Sequence, residues 1–286
     1  MNVKIDLVHI GPQKSGTTWL YECLKEHPEC QVPKNDSVHY FDIFYPLGQE
    51  WLSNHYSNNE EHKIRVDMTP SYLRDQLALE RIAKHNPKNG VALCLRNPIE
   101  RAFSHYWHEK KKERFHYQFE EIIENYDLWS NWMKPGLYSQ TIRDCHNLFG
   151  RDHVLVQYFD DLKENPNKFL QEFLEFANLD VNFKPSVIDK KVNTAKPKMT
   201  SRARTNRKRL RKLLESTGTL KFAQNYRSAF EELPGMGMRK GPTEKLSDLD
   251  SNFIEHLNSL ISDEIMDLQE LLQRDLSHWF LDKDKT

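Results

Sequence analysis

One segment near the N-terminus constrains the fold more than any other part of the sequence. It reads HIGPQKSGTTWL, residues 9–20, and it overlaps an apolar run from Val3 to Ile10 that is typical of a buried β-strand. From Thr17 to Glu26 apolar residues recur at helical spacing, and Pro28 ends the pattern. A strand, a glycine-containing turn and a helix in this order predict a βα unit, and the N-terminus of such a helix is suited to hold an anion.

The lysine of this turn is not where the common nucleotide-binding loop has it. Gly11 and Gly16 have the separation of the two glycines in GxxxxGK[ST]. Thr17 follows the second glycine, however, and the lysine is Lys14. The backbone N–H groups of the turn would still converge on an anion, Gly16 would let it approach closely, and the hydroxyls of Thr17 and Thr18 would add donors. The segment therefore predicts an anion cradle with a displaced cation; a βα turn without a ligand is the alternative.

The alternation of strand and helix continues along the chain. Short apolar runs predict strands, and stretches with three- and four-residue apolar spacing predict helices. The predicted strands are Ile64–Asp67, Val91–Leu95 and His153–Tyr158, and the predicted helices are Leu77–His85, Pro98–Lys110, Thr141–Leu148 and Pro166–Ala177. Strands separated by helices indicate an α/β fold with a mainly parallel sheet covered on both faces. Because the chain has 286 residues, of which 38% are hydrophobic, we expect one domain spanning residues 1–286.

Two further features are interpreted as structural or solvated rather than chemical. An apolar stripe at helical spacing near the C-terminus indicates core packing. His105, His108 and Glu109 lie three to four residues apart on a predicted helix without a third ligand, so we expect a solvated face and assign no metal. The stripe consists of Ile254, Leu257, Ile261, Ile265, Leu268 and Leu272.

Charge and cysteine content bear on compartment and partners. The sequence has no run of 18 apolar residues and no signal peptide, so a membrane span and export are not expected. The four cysteines form no CxxC pair, which argues against a zinc site or a disulfide scaffold and favours a reducing compartment, the cytoplasm. The net charge is −1, yet the stretch from Lys190 to Leu214 is rich in Lys and Arg and has no acidic residue. It could be a solvated helix, a surface for a bound anion or an acidic acceptor, or a nucleic-acid patch. Nucleic acid is not expected, because no aromatic residues are interleaved with the basic ones.

The turn at residues 11–20, GPQKSGTTWL, resembles the 5′-phosphosulfate loop of sulfotransferases that use 3′-phosphoadenosine 5′-phosphosulfate (PAPS). It is particularly similar to the loop of the Golgi heparan sulfate sulfotransferases and their soluble bacterial relatives. The resemblance implies that the donor is bound by Gln13, Lys14, Ser15, Gly16, Thr17, Thr18 and Trp19.

Other segments in the same order along the chain carry the resemblance further. LRNPIERAFSHYWHEKKK, from residue 95, is similar to the family's 3′-phosphate segment, with Arg96 and Ser104 at the binding positions. MRKGPTEKL, from residue 238, resembles the turn that closes over the 3′-phosphate and adenine, with Arg239, Lys240 and Gly241 at the matching positions. VHYFD, VDMTPSYL and DLSHW are also family-like, so that the resemblance covers nearly the whole chain.

The resemblance implies a P-loop-like three-layer fold and a definite reaction. A sulfuryl group would pass from PAPS to an acceptor hydroxyl by in-line displacement, leaving adenosine 3′,5′-bisphosphate, and no metal is implied. Lys14 would stabilise the charge that develops on the leaving oxygen. Thr69 and Pro70 are expected to shape the acceptor side. The acceptor could be a glycan, a lipid or a small molecule, and the sequence fixes neither its identity nor the oligomeric state.

The general base is where this sequence departs from the heparan sulfate enzymes. Those enzymes have a Glu as base just before the segment that corresponds to VHYFD, whereas this chain has Ser37. A serine cannot take a proton unaided, so the role passes to His39, whose imidazole titrates near neutral pH. Asp42 is expected to orient His39. Asp36 is the alternative base, and a purely structural His39 is the third possibility.

Two other functional classes remain as alternatives. A P-loop kinase or other phosphotransferase would need a lysine directly after Gly16 and an acidic residue at a strand end to hold Mg²⁺. Asp67 is the candidate for that residue. A non-catalytic anion-binding module would not need two phosphate segments with a histidine-bearing loop between them.

Overall fold

The structure is a computed structural model that describes residues 3–56, 63–85, 87–111, 116–188 and 245–282. Within these residues the centre is a five-stranded sheet in the order β2-β3-β1-β4-β5, and neighbouring strands are parallel throughout. The strands are β1 (Leu7–Gly11), β2 (Cys30–Gln31), β3 (Ile64–Asp67), β4 (Val91–Leu95) and β5 (Val154–Tyr158). Because the strands are parallel, their carboxyl ends share one edge of the sheet.

Helices connect the strands and cover the sheet. The α-helices in the described residues are α1 (Thr17–Glu26), α2 (Gly48–Ser53), α3 (Gln76–His85), α4 (Pro98–Lys110), α5 (Tyr126–Leu128), α6 (Ser139–Phe149), α7 (Phe159–Glu164), α8 (Pro166–Phe176) and α9 (Ser251–Leu272). Single π-helical turns occur at Tyr40–Phe44 and Trp129–Met133. Short 3₁₀ turns occur at Tyr45–Leu47, Tyr72–Arg74, Phe119–Ile122, Lys134–Gly136, Arg151–His153, Leu246–Asp248 and Ser277–Trp279.

The predicted elements are present, with differences at their ends. The strands β3 and β4 and the helices α1 and α4 have the predicted bounds, and α4 begins with Pro98 at its first position as expected. The first strand is shorter than predicted, because the chain before Leu7 makes other bonds. The Ile5 N–H donates to His85 Nε2 at 2.9 Å, and the Asp6 carboxylate accepts the Arg65 N–H at 2.9 Å. The two-residue strand β2 was too short to produce a periodic pattern in the sequence.

Apolar side chains bury both faces of the sheet. Leu7 and Cys94 belong to a core cluster that includes residues of α1 and α8. Val8 and Leu93 point to the opposite face, since side chains alternate along a strand, and they are fully buried as well. The expected α/β fold with a parallel sheet between two helical layers is thereby confirmed.

The C-terminal apolar stripe forms the buried face of α9, as predicted. Its first five members are buried and Leu272 is half-buried. From α9, the Glu264 carboxylate accepts the N–H groups of Tyr138 and Ser139 at 2.5 and 2.8 Å, and the Ser139 hydroxyl at 2.8 Å. These bonds satisfy donors at the N-terminus of α6 and fix α9 against it.

The chain divides into two compact units, one formed by Met1–Val192 with Leu249–Thr286 and the other by Asn193–Asp248. The sheet and all the α-helices given above belong to the first unit. Of the second unit the structure describes residues 245–248, which include the 3₁₀ turn Leu246–Asp248. The organisation of residues 1–286 as a single domain stays a prediction. Among the described helices, none is both long and apolar enough to cross a membrane.

Candidate active site

The turn between β1 and α1 lies at the carboxyl edge of the sheet, beside the turn that follows β4. The two strands pair directly, with Val8 opposite Val91. Arg96, the first residue after β4, donates from Nη1 to the carbonyl oxygen of Lys14 at 2.9 Å. The structure thus brings together the two segments that the sequence assigned to the two ends of one nucleotide.

The backbone of the β1–α1 turn requires its glycines. Gly11 has φ +109°, and a Cβ on it would overlap the carbonyl oxygen of Pro70. Gly16 has φ +86°, and its Cβ would lie 2.5 Å from Leu162 Cδ2. Lys14 also has a positive φ, 74°, which is uncommon for a residue with a side chain. Such strain persists where the surroundings enforce it, and it is concentrated at functional sites.

The N-terminus of α1 has the backbone donors that suit an anion. Gly16 is the N-cap and provides no side-chain cap, and the first turn of α1 has no acidic residue. The Ser15 hydroxyl is buried, and its Oγ has no hydrogen-bond partner within the described parts of the chain. Thr17 and Thr18 are half-buried in the first turn. A phosphate or sulfate group here would accept the unpaired backbone N–H groups and the Ser15 hydroxyl, so these residues fit the donor that the sequence implies.

The other members of the predicted donor set differ in their exposure. Gln13 is exposed at its rim. The Trp19 side chain is buried in the core, with its ring 6.1 Å from that of Phe169. Ser104 is half-buried on α4. The predicted third segment, Arg239, Lys240 and Gly241, lies outside the described residues, as does the basic stretch that begins at residue 190.

The Arg96 guanidinium is already held in place by protein groups. Its Nε and Nη2 donate to Glu100 Oε2 at 3.2 and 3.1 Å, and its Cζ lies 4.6 Å from the centre of the Phe159 ring. Lys163 Nζ is 3.5 Å from the same Glu100 oxygen. A phosphate bound by the Arg96 fork would therefore have to compete with the Glu100 carboxylate. In the sequence, only the i, i+4 spacing of Arg96 and Glu100 pointed to this pairing.

On the loop after β2, a histidine and a carboxylate meet a serine of the segment after β3. His39 Nδ1 lies 3.1 Å from Asp42 Oδ2, as expected, and 3.2 Å from Ser71 Oγ. The Ser71 hydroxyl also donates to Asp42 Oδ2 at 2.6 Å. A carboxylate that accepts the Nδ1 proton fixes the ring tautomer, so Nε2 is the nitrogen able to accept a proton. Ser71 is a site residue that sequence reasoning missed, although it lies within the family-like VDMTPSYL.

The electrostatics of the pair are those of a stabilised imidazolium. The hydrogen bond to Asp42 raises the pKa of His39, although burial opposes this, and the charges of Asp42, Asp67 and Asp36 add to the increase. Burial alone would raise the pKa of Asp42, but hydrogen bonds from His39, Ser71 and the Ile43 N–H lower it below its usual value. The alternative base, Asp36, is exposed, and Ser37 is half-buried.

Of the two histidines of α4, His105 differs from the expected solvated face. The Nδ1 atom of His105 is buried and has no hydrogen-bond partner among the described residues. Burial lowers the pKa of His105 to about 3, and the positive charges of Arg101 and Lys14 act in the same direction. The interpretation as a solvated face is therefore wrong for His105. His108 is half-buried, with Nε2 at 3.7 Å from Glu109. No group of three metal-ligating side chains occurs in the part of the chain that the structure describes.

His9 is a second residue that the sequence did not single out. Its Nδ1 accepts the Gly11 N–H at 3.3 Å, which helps to shape the end of β1. Burial lowers the pKa of His9 to about 4, so the ring is neutral and able to accept this bond. A histidine in an otherwise apolar strand, directly before the glycine turn, was the available signal.

Comparison with known proteins agrees with the geometry. The sequence matches the sulfotransferase domain family over residues 4–230, which is more than half of the chain. The protein therefore belongs to the sulfotransferase family, and the resemblance seen in its motifs is confirmed.

Three known proteins illustrate the similarity. A membrane-associated sulfotransferase of Dictyostelium discoideum is 31% identical over 127 residues, 41% of this chain and 27% of that protein. Heparan sulfate glucosamine 3-O-sulfotransferase 6 of Mus musculus is 28% identical over 176 residues, 59% of this chain and 51% of that protein. This chain thus spans about a quarter of the length of the Dictyostelium protein and about half of the length of the mouse protein. The crystal structure of a sulfotransferase from Alicyclobacillus acidocaldarius shares the fold, with a TM-score of 0.69, 18% identity and coverage of 97% of this chain and 99% of that one.

Proposed function

We propose that this protein transfers a sulfuryl group from PAPS to an acceptor hydroxyl. The observation that carries the proposal is that one short segment after β3 touches both the donor cradle and the histidine loop. The Pro70 carbonyl packs against Gly11, while the Ser71 hydroxyl bonds to Asp42 beside His39. An anion held at α1 and a base at His39 would therefore be supported by the same piece of backbone.

The reaction assigns separate tasks to the cradle and the base. The N–H groups of the turn and the hydroxyls of Ser15, Thr17 and Thr18 would hold the 5′-phosphosulfate, and Arg96 would bind the 3′-phosphate. As the acceptor oxygen forms its bond to sulfur, the bond from sulfur to the phosphate oxygen breaks and that oxygen keeps the electron pair. The Lys14 ammonium would stabilise this developing charge.

His39 would take the proton that the acceptor hydroxyl loses. Its Nδ1 is occupied by Asp42, so Nε2 is the accepting atom, and the resulting imidazolium would be stabilised by the Asp42 carboxylate. The exposed position of Asp36 supports His39 over the aspartate as the base.

Donor binding is tested first, because it needs no acceptor. Adenosine 3′,5′-bisphosphate should raise the melting temperature far more than AMP, since Arg96 adds charged hydrogen bonds worth about 1.5–3 kcal/mol each. ATP with Mg²⁺ should stabilise the protein less than the bisphosphate. Equal stabilisation by AMP and the bisphosphate, or a preference for ATP with Mg²⁺, would refute the assignment of the donor.

Transfer is tested with labelled PAPS against a panel of glycans, lipid alcohols and phenols. With an acceptor from that panel, Lys14→Ala should reduce turnover by about 10²–10³, and His39→Ala by about 10²–10⁴ with nearly unchanged bisphosphate binding. Asp36→Asn is the matched control and should have a smaller effect. A severe Asp36→Asn with a mild His39→Ala would make the aspartate the base.

We also propose that the acceptor is a glycan, a lipid or a small molecule, that residues 1–286 form a single domain, and that the protein is cytoplasmic. All four cysteines are buried and unpaired, which supports a reducing compartment. Fractionation of cells that express the protein would test the location, with the membrane fraction assayed because one relative is membrane-associated. Recovery of the protein in the membrane fraction would contradict it.

A further inference from the structure

The loop that carries His39 is held by two hydroxyl groups, and one buried carboxylate orients both of them. Asp67, the last residue of β3, is fully buried. Its Oδ1 accepts the Thr69 hydroxyl at 2.7 Å and its Oδ2 accepts the Tyr72 hydroxyl at 3.0 Å. We propose that Asp67, through Thr69 and Tyr72, is a positioning residue that holds His39 in the conformation in which it accepts the acceptor's proton. The inference rests on the proposed role of His39 as the base.

The direction of these hydrogen bonds follows from the donor and acceptor capacity of each group. A hydroxyl has one proton, and an ionised carboxylate can only accept, so both hydroxyls must donate to Asp67. Their oxygens are then left as acceptors toward the loop. Thr69 Oγ1 accepts the N–H groups of Val38 and His39 at 3.0 and 3.2 Å. The Tyr72 oxygen accepts the Phe41 N–H at 3.2 Å.

The loop needs this support because of the backbone of His39. Its φ is +57° and its ψ +30°, in the left-handed region that side-chain-bearing residues rarely adopt. Such a conformation persists only where neighbouring groups enforce it. On the other side of the loop, Arg81 Nη1 donates to the carbonyl oxygens of Phe41 and Asp42 at 2.7 and 3.1 Å. The backbone around His39 is therefore fixed at both its N–H and its C=O groups.

The position of Asp67 is that of a support and not of a ligand. Both of its oxygens are engaged by hydroxyls, and the side chain has no access to solvent, so it is not placed to hold Mg²⁺ as a kinase would require. Burial raises the pKa of Asp67 to about 6. The hydrogen bonds from the two hydroxyls lower this pKa; the charge of Asp42 raises it further and that of His39 lowers it. Above this pKa the carboxylate is ionised and accepts from both hydroxyls.

The test replaces the Thr69 hydroxyl by a methyl group. Thr69→Val keeps the shape of the side chain but removes the acceptor of two N–H groups and the donor to Asp67. We expect the pKa of His39, followed by NMR in the presence of adenosine 3′,5′-bisphosphate, to fall toward its ordinary value because the ring no longer meets Asp42. The His39 signals are assigned by their absence in His39→Gln. Turnover with labelled PAPS should fall about 10²-fold, while bisphosphate binding is unchanged.

Two variants serve as controls. Thr69→Ser keeps the hydroxyl and should retain both the pKa of His39 and most of the turnover. Thr141→Val removes a hydroxyl that donates to the Leu73 carbonyl at 3.3 Å without touching the His39 loop, and it should leave both unchanged.

The outcomes separate this inference from the proposed function. If His39→Ala is severe but Thr69→Val has normal turnover and a normal His39 titration, the positioning role is overturned and the proposed base stands. If His39→Ala is without effect on turnover, both the positioning role of Asp67 and the role of His39 as the base are refuted. Should Thr69→Val not fold, Tyr72→Phe takes its place, with Tyr56→Phe as the control because that hydroxyl donates to the Val66 carbonyl at 3.4 Å. Lower turnover and a lower His39 pKa in Tyr72→Phe alone support the inference; equal values in the two variants refute it.

Discussion

Replacing Gly16 by alanine should destabilise the fold for two reasons that can be measured separately. The first is the backbone, since φ is +86° and ψ is 1°, a left-handed conformation that costs an alanine about 1–2 kcal/mol. The second is packing, because the new Cβ would lie 2.5 Å from Leu162 Cδ2 on α7. Leu162 is buried and belongs to the core cluster, so moving it should cost about 1–3 kcal/mol more. The free energy of unfolding should therefore fall by about 2–5 kcal/mol in total.

A double-mutant cycle divides this loss into its two parts. Leu162→Ala removes the atom that the new Cβ would meet, so Gly16→Ala should cost about 1–3 kcal/mol less in that background than in the wild type. In a Leu257→Ala background the full cost should remain, because Leu257 lies on α9 and is not among the atoms near Gly16. The assay is guanidinium denaturation without nucleotide, followed by circular dichroism. Additive losses for Gly16→Ala and Leu162→Ala would refute the steric part of the argument.

Two further predictions concern the charged groups of the site. Asp42→Asn removes the hydrogen bond that raises the pKa of His39. Because a base works in its neutral form, turnover should rise with pH through the pKa of His39, and in Asp42→Asn this rise should occur at lower pH; an unmoved profile would exclude His39 as the titrating base. Glu100→Gln should tighten binding of adenosine 3′,5′-bisphosphate severalfold and leave AMP binding unchanged, because it weakens the competition for Arg96. Calorimetric titration would measure the binding of the bisphosphate and of AMP. Weaker bisphosphate binding by Glu100→Gln would mean that Glu100 positions Arg96 for the phosphate.

The sequence predicted those parts of the fold and site that depend on neighbours along the chain. The strand, glycine turn and helix of residues 9–20 were predicted because periodicity and turn chemistry are local properties. The pairing of His39 with Asp42 was also expected. The two residues are three positions apart, and a π-helical turn at Tyr40–Phe44 brings them together.

What the sequence did not predict depends on groups that only the tertiary fold brings together. Ser71 is 32 residues from His39, and Thr69 is 31 residues from Val38. Nothing in a stretch such as VDMTPSYL says which hydroxyl will accept which N–H group. The burial of His105 Nδ1 was missed for the same reason, because it follows from the packing around α4 and not from the i, i+3 spacing that suggested a solvated face.

The proximity of the β1–α1 turn to the segment that contacts the His39 loop is a consequence of how β1 and β3 pair. The strands are parallel with Leu7 opposite Val66, so the turn after β1 and the segment after β3 leave the sheet side by side. Gly11 lies so close to the Pro70 carbonyl that no side chain fits between the two segments. Transfer requires reacting groups held at near-contact distance, and a displacement of about 1 Å can cost about 10²-fold in rate. The glycine at position 11 therefore does more than permit a turn: it sets the distance between the cradle and the loop of His39.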